Sequence, residues 1–191
     1  MSLLPINTTS YAGFRADALA RALLNQGYDV DGSFGYQCWD LAAELWMNTP
    51  EFSGSGLYPQ TGPNMYAEEC WTVSRTINAG TSFDLIYNIT DLKRGDVIVL
   101  GPSPISETGH IAFCDEPYNG TTTMDLLGQN QVNPNPYTGH IPTVTTLSIS
   151  AFLGAFRFKA WNTTLPTHLL DIKKGQRFPW VIYTRKLRKQ R

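Results

Sequence analysis

Hydrophobic and polar positions along the chain follow two different periods. Over residues 10–26, YAGFRADALARALLNQG places Phe14, Ala18, Leu19, Ala22 and Leu23 near helical spacing, and Gly27 supplies a stop. This spacing predicts an amphipathic helix. A second helix is predicted over 38–48, CWDLAAELWMN, where Cys38, Leu41, Leu45 and Trp46 share a face and Thr49-Pro50 ends the run. Residues 28–37 form a Gly/Asp-rich loop between them. Residues 50–65 turn to Gly, Ser and Pro and read as a surface loop, and a third helix covers 66–76.

Beyond that point the period shortens. DVIVL (96–100), HIAFCD (110–115), TTTMDLLGQ (121–129) and FLGAFRF (152–158) are short apolar or alternating runs with turn residues between them, the pattern of strands. Helices first and strands afterwards predict an α+β domain whose N-terminal helices pack on an antiparallel β-sheet. The expected domain spans 1–160, and 161–191 is read as linker and basic C-terminal tail, with PWVIYTR (179–185) as a possible last strand.

Composition narrows the class. Of 191 residues, 42% are hydrophobic and 12% aromatic, enough for a packed core, while 16% are charged, too few for a coiled coil. No apolar run approaches the roughly 18 residues of a membrane helix. The opening MSLLPINTTSYAG lacks a basic n-region, and Pro5 and Asn7 break its apolar patch, so no signal peptide is expected. Three cysteines without a C-x-x-C argue against a disulfide framework or a cysteine-rich zinc site, and Cys70 and Cys114 are expected in the core.

The net charge of -1 conceals an asymmetry. Residues 1–166 carry seven Lys/Arg against fifteen Asp/Glu; residues 167–191 carry eight against Asp171 alone. Such a tail either docks on an anionic polymer or an acidic partner, or is simply solvated. No helix-turn-helix, zinc finger or RNA-binding signature stands beside it, so specific nucleic-acid recognition is not expected.

The candidate chemistry begins at Cys38, where a Gly-rich loop becomes an apolar helix. The first helical turn offers unpaired N–H groups and the positive end of the dipole, which favour a thiolate and can receive an oxyanion. The alternative is a buried cysteine packed as a small apolar group. His110 opens a strand and can project at the sheet's edge. Asn130 ends the next strand, where an amide oxygen on the second ring nitrogen would orient the imidazole and select its tautomer.

The loop before the cysteine has an ion-binding rhythm. Counting from Asp29, oxygen ligands fall at positions 1, 3, 5 and 12 (Asp29, Asp31, Ser33, Asp40), with the Gly35 carbonyl at 7. This is the ligand spacing of a twelve-residue EF-hand-type calcium loop, although Phe34 stands at the usual glycine and Asp40 at the usual glutamate. The other reading is a turn rich in Asp and Gly for backbone reasons.

GYQCWDLA (35–42), RGDVIV (94–99), GHIAF (109–113) and GQN (128–130), in this order, resemble a CHAP domain, the cysteine, histidine-dependent amidohydrolase/peptidase family, over residues 10–160. The resemblance implies a papain-like fold. It also implies Cys38 as nucleophile, His110 as general base and later acid, and Asn130 as the group that orients His110. Many members carry an acidic residue two positions before the asparagine, where this chain has Gly128; either Asn130 suffices or a group such as Asp125 helps. Some phage-lysin members carry calcium at the same place relative to the cysteine, which implies Ca2+ on Asp29, Asp31, Ser33, Gly35 and Asp40.

The function implied is hydrolysis of an amide bond in bacterial peptidoglycan. The bond is the N-acetylmuramoyl-L-alanine amide or a peptide bond of D-alanyl-glycyl type. The protein would be a bacteriophage lysin or a virion-associated wall hydrolase. It would reside in the virion tail or the host cytoplasm before release, with the basic tail gripping an anionic wall polymer or a virion protein. Two rivals share the features: an NlpC/P60-type cysteine peptidase, and a non-catalytic module that keeps the fold for structure or wall binding. Loop 50–65 is the expected wall of a substrate cleft.

Overall fold

The computed structural model describes residues 6–49, 52, 58–77, 81–103, 106–132, 134–135 and 137–162. Two helices come first, α1 (Tyr11–Ala22) and α2 (Cys38–Met47), followed by a single helical turn, α3 (Glu69–Thr72). Six strands follow: β1 (Phe83–Ile86), β2 (Val97–Leu100), β3 (His110–Cys114), β4 (Thr123–Gly128), β5 (Thr143–Ser148) and β6 (Phe152–Phe158). They make one antiparallel sheet in the order β1-β6-β2-β3-β4-β5. The α+β class and helices-first order expected from the periodicity are both present. No helix among the described residues is long and apolar enough to cross a membrane.

Strands β2 and β3 are buried along their whole length, which is why they read as unbroken apolar runs rather than alternating ones. Val97, Val99, Ile111 and Phe113 face the helices, with Phe14, Leu41, Leu45, Trp46, Phe83 and Phe156. Ile98, Leu100, Ala112 and Cys114 face the other way, onto Met124, Leu126, Ile149 and Ala155. Trp46 is fully buried and sets its edge against Phe83 and Phe156, with centroids 5.9 and 6.1 Å away. Cys70 and Cys114 are buried free thiols, as expected, on opposite faces of the sheet.

Helix α1 stops at Ala22, so the predicted span to 26 is too long. Leu23 and Leu24 continue the apolar pattern, yet they are 88% and 62% exposed. The amides of Leu24 and Asn25 fold back on Arg21 and Ala22, and Asn25 takes a left-handed conformation that ends the helix. The third helix contracts from 66–76 to one turn, with turns on both sides. Strands β1 and β5 were not foreseen.

Ion pairs tie the elements together. Arg15 of α1 grips Asp115 at the end of β3 with two bonds of 2.6 and 2.8 Å, and Tyr11 donates to the same carboxylate at 2.9 Å. The linker expected from 161 begins inside the helical turn α4 (Lys159–Asn162). There Trp161 packs on Tyr11, Phe14 and Phe158 and donates its indole N–H to the Thr8 carbonyl at 3.0 Å. The basic tail and the last strand expected at 179–185 lie outside the described residues.

Candidate active site

Cys38 is the first residue of α2, and its half-buried side chain lines a cavity of about 550 Å³. His110, the first residue of β3, lines the same cavity, because α2 packs along β3. Asn130, just past the end of β4, joins them there. Trp39 and Asp40 continue one side, and Thr61, Asn64 and Met65 form part of the wall expected from loop 50–65, which Tyr66 extends. Its indole N–H reaching Pro59 O and its ring stacked on Tyr58 hold Trp39 in that wall.

The thiol of Cys38 departs from the sequence expectation. Burial pushes it up to about 11, outweighing the backbone N–H groups of Ile111, Trp39 and Cys38 itself, which pull the other way. Burial likewise pushes the His110 imidazole down to about 4 against a smaller opposing pull from Gln131. Both shifts favour the uncharged forms at neutral pH. The helix start lowers the cost of a thiolate there, but desolvation is the larger effect.

Asn130 does not meet His110. Its amide nitrogen donates to Gln37 Oε1 at 2.8 Å and to the Asn135 carbonyl at 3.1 Å. Its oxygen accepts from the Asn135 amide at 2.8 Å and lies 3.1 Å from Nδ1 of His140. Asn130 thus knits the 130–140 loop to the residue before the cysteine. The group beside His110 is Gln131, whose Oε1 lies 3.3 Å from the imidazole Nε2. Asp125 gives no help either: it pairs in register with Thr146 of β5 and accepts that hydroxyl. The sequence pattern missed Gln131 because the residue follows the strand and carries no motif of its own.

A second missed residue is Gln129, which is fully buried. Its Oε1 accepts from the Tyr28 amide at 2.6 Å, and its Nε2 donates to Tyr28 O at 3.0 Å and Gln37 O at 2.9 Å. One side chain therefore pins both ends of the loop between Tyr28 and Cys38. On the loop's outer side, Tyr36 N donates to Thr138 O at 3.0 Å and His140 N donates to Tyr36 O at 3.1 Å. Gly139 is required there, since a Cβ at that position would lie 1.8 Å from Tyr36 O.

Within that loop the structure brings Asp29, Asp31 and Asp40 together, with carboxylate oxygens inside 4.8 Å of one another. Asp40 stands in the first turn of α2 and accepts from Val30 N at 3.0 Å and Gln37 N at 2.8 Å. Even so, burial, aided by the charges of Asp31 and Asp29, pushes its carboxyl up to about 7. Ser33 N donates to Asp31 Oδ1 at 2.8 Å, and the Gly35 carbonyl accepts from Gln37 N at 2.9 Å, leaving that oxygen one lone pair. Phe34, at the position where glycine is usual, adopts the left-handed conformation with φ 61°.

Comparison with known proteins adds independent information. No protein-family model matches the chain. It is 30% identical over 166 residues to the D-alanyl-L-alanine endopeptidase of Streptococcus phage B30, an alignment covering 79% of this chain and 32% of that protein. It is 25% identical over 136 residues to endolysin PlyTW of Staphylococcus phage Twort, covering 69% of this chain and 27% of that protein. The chain thus spans about a third or less of the curated relatives it matches. Among solved structures, the wild-type endolysin LysIME-EF1 superposes with a TM-score of 0.55 at 23% identity, over 74% of this chain and 62% of that one. The α+β fold is therefore one that an endolysin also uses.

Proposed function

We propose that this chain is the catalytic domain of a phage peptidoglycan hydrolase, papain-like and of CHAP type, that cleaves an amide bond with Cys38 as nucleophile. The observation that carries the reading is the shared cavity: a cysteine at a helix start and a histidine at a strand start line one cleft, walled by loop residues. The phage relatives named for endopeptidase and endolysin activity support peptidoglycan as the substrate.

With both groups neutral at rest, the proton moves as the bond forms. Cys38 Sγ attacks the amide carbonyl carbon and His110 takes the thiol proton. The developing oxyanion is received by main-chain N–H groups at the start of α2. The C–N bond then breaks, His110 returns the proton to the leaving amine, and a thioester remains on Cys38. Water attacks the thioester while His110 accepts its proton, releasing a carboxylic acid and the thiol.

Three clustered carboxylates with no imidazole or thiol among them suit a hard divalent cation, and Ca2+ is the ion we propose for Asp29, Asp31 and Asp40, with Ser33 and Gly35 supplying carbonyl oxygens. Its contribution would be to neutralise the cluster and hold the loop that leads into Cys38. The experiment is digestion of purified Gram-positive peptidoglycan with and without EDTA, followed by mass spectrometry of the new ends. New amine and carboxyl ends identify the bond, and their decline in EDTA supports the metal loop. Intact wall from several cross-bridge types would shift the reading to a non-catalytic wall-binding module.

A further inference from the structure

We propose that Gln131 positions His110 in this chain, its amide filling the space that Gly128 leaves open at the end of β4. The inference rests on the hydrolase reading for what His110 does, but its geometry is independent of it. Gln131 is buried, and its amide nitrogen donates to Leu126 O at 3.0 Å and Thr143 O at 2.9 Å, with Thr143 Oγ1 at 3.4 Å. Those acceptors fix which way the amide faces, so the atom turned to His110 is Oε1. A carbonyl oxygen only accepts; His110 Nε2 must therefore carry the proton, and Nδ1 is left with the lone pair. One amide thus selects the tautomer and leaves one basic nitrogen to receive the thiol proton.

The glycine is the other half of the arrangement. A Cβ at position 128 would lie 2.7 Å from Gln131 Oε1, 2.9 Å from its Cδ and 3.0 Å from the Ala112 Cβ. Any larger residue at 128 displaces the amide. The acidic side chain expected there by resemblance and the Gln131 amide would compete for one space beside the imidazole, and this chain uses the neutral one. The ionisable groups that line the cavity with His110 are Cys38, Asp31, Asp40, Tyr66 and Glu107; Glu68 adjoins Gly109, and His140 is held through Asn130.

The test compares wild type, Gln131→Ala, and Gln131→Ala combined with Gly128→Glu, each in parallel with its Cys38→Ala version. Imidazole-15N NMR of the Cys38→Ala proteins reads the His110 tautomer and titration, and peptidoglycan kinetics read turnover. Wild type should show the Nε2–H tautomer. Gln131→Ala should mix the tautomers and lower kcat about 100-fold with KM little changed, the scale of a misplaced catalytic group. Returning an acceptor from position 128 should restore the Nε2–H form, raise the His110 midpoint by at least about one pH unit, since a carboxylate favours the imidazolium, and recover at least tenfold in kcat. If Gln131→Ala does not fold, as judged by amide dispersion, Gln131→Met replaces it. An unchanged His110 tautomer and midpoint across folded variants would overturn the proposal. If wild type itself cleaves no wall, the hydrolase reading fails while the NMR result still decides the role of Gln131.

Discussion

Replacing Gln129 with leucine isolates what one buried side chain contributes to the site. The substitution keeps an apolar body of similar bulk in a fully buried position, so little packing is lost. It removes three hydrogen bonds, of 2.6, 3.0 and 2.9 Å, and leaves the amide and carbonyl of Tyr28 unpaired, while the carbonyl of Gln37, the N-cap of α2, still serves the first turn of the helix. Each buried group left unpaired costs about 1–3 kcal/mol. Two such groups give a loss of at least about 2 kcal/mol, a large share of the roughly 5–15 kcal/mol that holds a domain together. For a domain of this size the melting temperature should fall by roughly 4–8 °C, at roughly 2–4 °C per kcal/mol. Urea melts in EDTA measure the loss without a contribution from bound cation. Tyr28 and Gln37 bracket the acidic loop, so calcium affinity, read by titration calorimetry, should weaken in the same variant. A stability change under about 1 kcal/mol would refute the claim that Gln129 pins the loop.

Four further outcomes are expected. Asp40, held up to about 7 by burial and by Asp31 and Asp29, is partly protonated near neutrality in the cation-free loop, so calcium affinity should fall by up to tenfold per pH unit below about pH 7; a flat affinity from pH 5 to 8 contradicts this. The same raised carboxyl makes EDTA-treated protein lose stability as pH climbs from about 4 to about 7, since the folded state holds the proton longer than the unfolded chain, and added calcium should oppose that loss. Phe34→Gly should stabilise the protein by about 1 kcal/mol in urea melts, because a 53% exposed phenylalanine in a left-handed conformation gives up strain and little packing. Without substrate, iodoacetamide should alkylate Cys38 slowly at pH 7 and faster toward pH 11; fast alkylation below pH 8 would show a standing thiolate.

What could be read from the chain, and what could not, follows from the range of each interaction. Helix α2 and strands β2, β3 and β6 lie where the apolar runs placed them, because those runs are buried on one or both faces. Strand β5, TVTTLS, has no fully buried position; its threonines favour a strand, but an edge strand shows little apolar alternation. Leu23 and Leu24 mimic a continuing helix because local spacing is blind to the turn that exposes them. The convergence of Cys38, His110 and Asn130 on one cavity follows from motif order and antiparallel pairing. The partner of His110 did not, because it depends on whether Asn130 or Gln131 points at the ring, a choice made by side-chain bonds to Gln37, 93 residues away, and to Asn135 and Thr143 nearer by, none of which leaves a pattern in the sequence.

We propose Cys38 as the group that breaks amide bonds of the bacterial wall in the shared cavity. The most direct measurement is release of free amino groups from purified peptidoglycan by wild type and by Cys38→Ser, with circular dichroism and melting showing that both are folded. Wild type should release amino groups steadily and the serine variant at least about 1,000-fold more slowly, in line with removal of a nucleophile from a cysteine or serine hydrolase. Equal release by the two proteins would contradict the proposal.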